Sequence, residues 1–461
     1  MLFGLTACSV NITIPEEYFQ TVMAGAVTAD SGDATQEPAA SEEPAASEEP
    51  AASGEAEASD EAAGSSSEMG GASMAMPGGG GNSAPDSYDA ILEITSDETV
   101  DGADMTSDTA DQNIIHVFDG ATAYVTNSTF TNGGEGGGGD SASFYGVGAT
   151  LFVSDGELYA SGDTIDSEAA GGAGIFAYDN GVAYVYDCDI TTTQASAGGL
   201  HVAGGGTLYA WDCNIVTNAA MAAAAIRSDR GGGTMVIDGG NYVTEGGTGA
   251  VYVTADISVH NAYLYSGGSE AVAIEGKNTI RLFDCDLTGT MLASDLNDNK
   301  VWNIIVYQSM SGDADVGTSE YDMIGGTLTC NAGPVVYNTN TSSYITFQNV
   351  DVTYGEDTTY WLQVTGNSSS RTWGTAGKNG AKCIFTAYEQ EMNGDVVYDT
   401  ISDLNFYVLD GSVLNGAIVC DDSFNGGYTG EGGANVYVDA DSVWNVTGDS
   451  VITGTLYAEG T

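Results

Sequence analysis

The chain has 461 residues, too many for one compact core, and carries 65 Asp plus Glu against 8 Lys plus Arg, a formal net charge of -57. A field of that sign repels phosphate backbones and anionic headgroups, which argues against nucleic acid and against docking on a charged bilayer. Clustered carboxylates leave Ca²⁺ as the one cofactor the composition suggests.

In chain order, Met1-Leu2-Phe3-Gly4-Leu5-Thr6-Ala7-Cys8-Ser9 is a short apolar run ending in small residues before a cysteine. It resembles the lipobox of bacterial lipoproteins over Leu5 to Cys8, without the basic stretch that normally precedes it. The resemblance implies cleavage before Cys8, lipid attachment to that cysteine, and display outside the cell on a membrane anchor. Residues 1–8 are thus read as a truncated signal. From there to residue 87 the chain becomes rich in Ala, Ser, Glu, Pro and Gly, with Glu37-Pro38-Ala39-Ala40-Ser41-Glu42 nearly repeated at Glu43 and Glu49. Low hydrophobicity and one sign of charge predict a disordered acidic tether over 9–87.

Over 88–461 the many Thr, Val, Ile and Tyr favour strands, and an imperfect repeat emerges. Its clearest copies, Ala183-Tyr184-Val185-Tyr186-Asp187-Cys188-Asp189-Ile190 and Leu208-Tyr209-Ala210-Trp211-Asp212-Cys213-Asn214-Ile215, stand 25 residues apart. Related copies run from Ala123 to Phe130, Leu158 to Ile165, Ile280 to Leu287 and, with an inserted residue or two, Val236 to Tyr242. A second short strand precedes several of them, as at Gly174 to Ala177 and Gly199 to Val202. Two or three short strands per ~25 residues, joined by Gly, Asn and Asp turns, describe one coil of a β-solenoid. A row of about three immunoglobulin-like sandwiches would give turns at roughly 8–12-residue spacing but no aligned repeat. The sequence here resembles the right-handed parallel β-helix, or pectin-lyase-like, superfamily. The fold expected is therefore an all-β, right-handed parallel β-helix preceded by a disordered linker. Around Gly312 to Ser319 and Gly366 to Lys382 the period loosens, which predicts loops leaving the stack, and Glu135 to Asp140 reads as a flexible insertion. Val451 to Tyr457 still reads as strand without a cap, so the native chain is expected to continue past Thr461.

Within a coil, Leu208, Ala210, Cys213 and Ile215 are taken to point inward, which stacks Cys188 and Cys213 as free thiols in a small-residue ladder that Cys285 shares. Cys330, Cys383 and Cys420, with His116, His201 and His260, show no metal-ligand spacing. The alternate residues then point out: Tyr124, Tyr159, Tyr184 and Tyr209 are expected to form an exposed column with Tyr186 and Trp211 beside it. Aromatic faces at regular spacing suit stacking on a long polysaccharide, on glycans of a host or neighbouring cell, or on each other.

Members of the fold include Ca²⁺-dependent polysaccharide lyases, which use a basic side chain to take the proton beside a uronate carboxylate. The candidate bases are Arg227 and Arg230, which flank Asp229, and Lys277 and Arg281 about two coils further on; as simple neutralisers of nearby carboxylates they need no catalytic role. The Gly-His-Gly and Arg-x-Lys tripeptides of the related hydrolases are missing. The expectation is a non-catalytic surface display or adhesion protein, with the lyase as the alternative.

Overall fold

The computed structural model describes residues 84–134, 136, 138–293, 300–367 and 373–460. Cys8 and nearly all of the expected tether lie outside the described residues.

Each coil has a first, a second and a third strand. Leu200–Ala203, Gly206–Trp211 and Asn214–Thr217 make one coil, and Ile226–Ser228, Gly233–Asp238 and Asn241–Thr244 make the next. These strands pair in parallel with their counterparts in the neighbouring coils. The chain is a parallel β-helix. Parallel pairing is the only arrangement that lets a repeated strand–turn unit satisfy its backbone groups while stacking at the ~4.8 Å strand spacing.

The register inside the core is the one the repeat requires. Ala210 lies opposite Val185 and Ile237, and Ile215 opposite Ile190 and Tyr242, all buried. Each such column buries aliphatic side chains worth about 1.5–3 kcal/mol apiece. Met235 is the partner of Leu208, so the copy read as starting at Val236 starts one residue earlier and needs no insertion. Between adjacent coils the offset varies from 20 residues, Val436 to Leu456, to 41, Ile280 to Tyr321. The long offsets go with long stretches between strands, from Gly289 to Ile304, from Tyr307 to Thr318 and from Val364 to Lys382.

The corner between second and third strands explains the recurrent Asp and Asn. Asn127, Asp187, Asp212, Asn261 and Asp284 all have φ between 49 and 52°, and Gly162, Gly239 and Gly325 take the same place. Left-handed backbone is costly for residues other than Gly, Asn and Asp, so one such residue turns the strand and sends the next side chain inward. That next residue is Asp163, Cys188 and Cys213 in successive coils. The Asp189 N–H donates to the Asp163 carbonyl (2.9 Å) and the Asn214 N–H to the Cys188 carbonyl (2.9 Å). The thiols are buried and unbridged.

The three outer faces differ. Outside the third strands, polar side chains form exposed ladders, with the Asn214 amide donating to Asp189 (3.1 Å) and that of Asn241 to Asn214 (2.8 Å). Outside the first strands the side chains are buried: Phe152, Phe176, His201, Arg227, Ile305 and Tyr337 share one outward column. What covers one end of it is an α-helix, Gly139–Tyr145, which starts at the end of the stretch Glu135 to Asp140 expected as a flexible insertion. Ala142 and Phe144 give this short segment an apolar side to bury, and the left-handed Gly146 (φ 74°) ends it.

Candidate ligand-binding face

The outer face of the second strands is the one that carries the aromatic residues. Tyr124, Tyr159, Tyr184 and Tyr209 stand in register in successive coils. Their rings stack at centroid distances of 5.1, 4.6 and 5.3 Å, with interplanar angles of 19, 8 and 18°. Tyr186 and Trp211 form the adjacent column, and Trp211 also lies parallel to Tyr209, 6.5 Å away. The column points outward, but the rings use their faces on one another. Tyr159 is only 3% and Trp211 5% exposed, whereas Tyr124, Tyr184, Tyr186 and Tyr209 remain partly accessible. The stack ends at Tyr209, whose next neighbour in the column is Val236.

Further along, the same column passes through Ser258, Arg281, Asp322, Thr346 and Thr386 to Tyr407 and Tyr437. The last two stack at 4.5 Å and 8°. Beside this second stack lies an open groove of about 630 Å³, lined by Tyr344, Lys382, Asp403, Asn405, Glu431 and Asn435 among others. Its floor is a product of register. Lys382 pairs with Ser342 and Asp403, while Tyr344, Ile384, Asn405 and Asn435 follow one another two residues along. The Asn435 amide donates to Asn405 (3.0 Å). Tyr344 is among the exposed large side chains. Among the described residues Lys382 takes part in no ion pair.

The candidate bases are all accounted for by local partners except Lys277. Arg227 lies under the helix on the first-strand face, 2.6 Å from the Asp229 carboxylate, and donates to the Ser143 hydroxyl (2.9 Å). His201 completes this buried group, 3.0 Å from the same Asp229 oxygen. Burial pushes the His201 imidazole down to about 4, over the opposing pull of Asp229, so it is neutral at physiological pH. Arg230 pairs with Asp313 (3.1 Å) and lies over the Phe144 ring. Arg281, on the second-strand face, pairs with Asp256 (2.7 Å) and Glu320 (3.5 Å). Arg227 and Arg281 therefore face different sides of the solenoid and do not converge, while Arg230 and Lys277 sit at corners between first and second strands.

The groove was not read from the sequence. Asn405 and Asn435 are 30 residues apart while Ile384 and Asn405 are 21 apart, so no fixed period would have aligned them. The chain matches no family model, no curated protein and no solved structure.

Proposed function

We propose that the protein is a non-catalytic display or adhesion protein of the cell surface, anchored through lipid on Cys8, that presents its second-strand face to an extended glycan. The resemblance to lipoproteins at Leu5 to Cys8 and to pectin-lyase-like solenoids over the repeat supports this reading. The observation that carries it is one uninterrupted outer face holding a four-tyrosine stack toward one end and an open polar groove beside a second tyrosine pair toward the other. A polymer lying along the axis meets aromatic surface and amide hydrogen-bonding groups on the same face. Glycan-array binding of the native chain is compared with Tyr184→Ala/Tyr209→Ala and with Lys382→Ala/Asn405→Ala. Loss of binding in either variant, with the fold intact by circular dichroism, supports the reading; equal binding in all three, or none in any, removes it.

One observation favours a second reading, a Ca²⁺-dependent polysaccharide lyase: the groove holds a lysine in no ion pair among the described residues, near Asp403 and Glu431. Release of unsaturated uronides from acidic polysaccharides, abolished by Lys382→Ala, is its signature. No turnover across a broad panel ends it.

A further inference from the structure

Where the chain passes from first to second strands in three successive coils near the groove, buried polar side chains collect, three of their oxygen atoms without partners. Residues 366 and 367 follow the strand Tyr360–Val364, Asp399 follows Asp395–Tyr398, and Asn425 lies beyond Ile418–Cys420. Val364, Tyr398 and Cys420 are in register, so these residues gather at one corner. Asn367, Asn379, Asp399 and Asn425 are all at least 97% buried.

Their amide donors are used, and of their four Oδ1 acceptors only that of Asn425 is, accepting from the Tyr428 N–H (2.8 Å). Asn379 donates through its amide nitrogen to the main-chain oxygens of Asn367 (2.6 Å) and Trp373 (3.0 Å). Asn367 donates to the Thr339 hydroxyl and the Trp373 carbonyl, both at 3.1 Å. Because both amides face carbonyl oxygens, flipping them would set oxygen against oxygen. The Oδ1 atoms of Asn367, Asn379 and Asp399 are left with no hydrogen-bond partner. Asp399 accepts through its other oxygen from the Gly366 N–H (2.7 Å) and the Asn425 amide (2.9 Å). Gly366 is the meeting point, since a Cβ there would stand 3.0 Å from the Asn379 oxygen and 3.2 Å from the Asn425 Cβ.

We propose that the side-chain oxygens of Asn367, Asn379 and Asp399 hold a small hard cation beneath the segment 373–380, with Ca²⁺ as the probe. An all-oxygen set of one carboxylate, two amides and neighbouring carbonyls is the ligand chemistry of such ions. A water molecule could serve some of these acceptors, but it would leave the Asp399 charge buried with no positive partner among the described residues. The site also ties function to fold, because Gly377, Thr400 and Gly430 around it line a recess that shares Asp403, Glu431 and Gly432 with the groove.

The test uses the full chain, stripped with EDTA and titrated calorimetrically with CaCl₂ in molar NaCl, which screens diffuse binding to the many surface carboxylates. The expected result is one saturable site and a rise in Tm. Asp399→Asn, which keeps the shape, weakens binding at least tenfold and abolishes the Tm response, while Asp189→Asn, on the exposed third-strand ladder, leaves both unchanged. Should Asp399→Asn fail to fold, Asn367→Ala removes one oxygen and no charge, and affinity falls severalfold. No saturable site in the native chain, or native affinity in Asp399→Asn or in a folded Asn367→Ala, overturns the proposal.

Discussion

Replacing Asp163 by Asn should remove a pH dependence that one misfit carboxyl imposes on the fold. Asp163 occupies the inward corner position that Cys188 and Cys213 fill in the next two coils, and it is 1% exposed. It accepts from the backbone N–H groups of Ser128 (2.8 Å) and Ser161 (3.2 Å). Burial outweighs both bonds and pushes the carboxyl up to about 7, with Asp101 adding to the rise. In the unfolded chain the same group titrates near ~3.9. The folded state therefore holds its proton where the unfolded state has lost it, and stability falls as pH rises from about 4 to about 7. Three pH units of difference correspond to about 4 kcal/mol, an upper bound because relaxation around the charge reduces it. Asn accepts the Ser128 N–H through its one oxygen and gives up the longer Ser161 bond, so the variant should carry a pH-independent loss of about 1 kcal/mol but gain on the native chain by up to about 4 kcal/mol as pH rises from about 4 to about 8. Urea or thermal unfolding of both across pH 4–8 measures the difference. His116 and His201, both depressed to about 4 by burial, act in the opposite direction, but they are common to both proteins and cancel. A difference that does not change with pH would refute the reasoning.

Other expected outcomes follow from burial. Arg227→Met leaves Asp229 charged and buried beside neutral His201 and should cost about 3–5 kcal/mol, whereas Arg281→Met breaks half-exposed pairs worth at most about 1 kcal/mol; equal losses in denaturant unfolding would show that Arg227 is not the paired group it forms with Asp229 here. Ile190→Ala cuts a methyl-rich side chain out of the column between Ile165 and Ile215 and should cost about 2–5 kcal/mol by the same measurement. Burial raises the thiols of Cys188, Cys330 and Cys383, pushing that of Cys213 up to about 12 and that of Cys285 up to about 11. A thiol reagent at pH 8 should therefore spare all five in the folded chain and reach them only after denaturation; rapid labelling of Cys188 or Cys213 in the native state would contradict the inward ladder.

The 25-residue offset between the two clearest copies was enough to determine the parallel stack, because a period-two alternation fixes which residues of a strand face inward and an aligned repeat without gaps fixes that those two coils meet. Cys188 with Cys213, Val185 with Ala210 and Ile190 with Ile215 came out of that reasoning in their observed register. It also set the tyrosines on the outside. The stacking of those tyrosines on one another was not legible, since whether a ring keeps its face open depends on side-chain torsions that no period encodes. Beyond Leu287 the coil length changes from turn to turn, so residues far apart in sequence are placed together only by pairing of the strands between them. That is why Tyr344, Lys382 and Asn405 form a groove that the sequence hides and why Asn367, Asn379 and Asp399 gather at one corner, whereas Arg227 and Arg281 part company because one lies on a first strand and the other on a second.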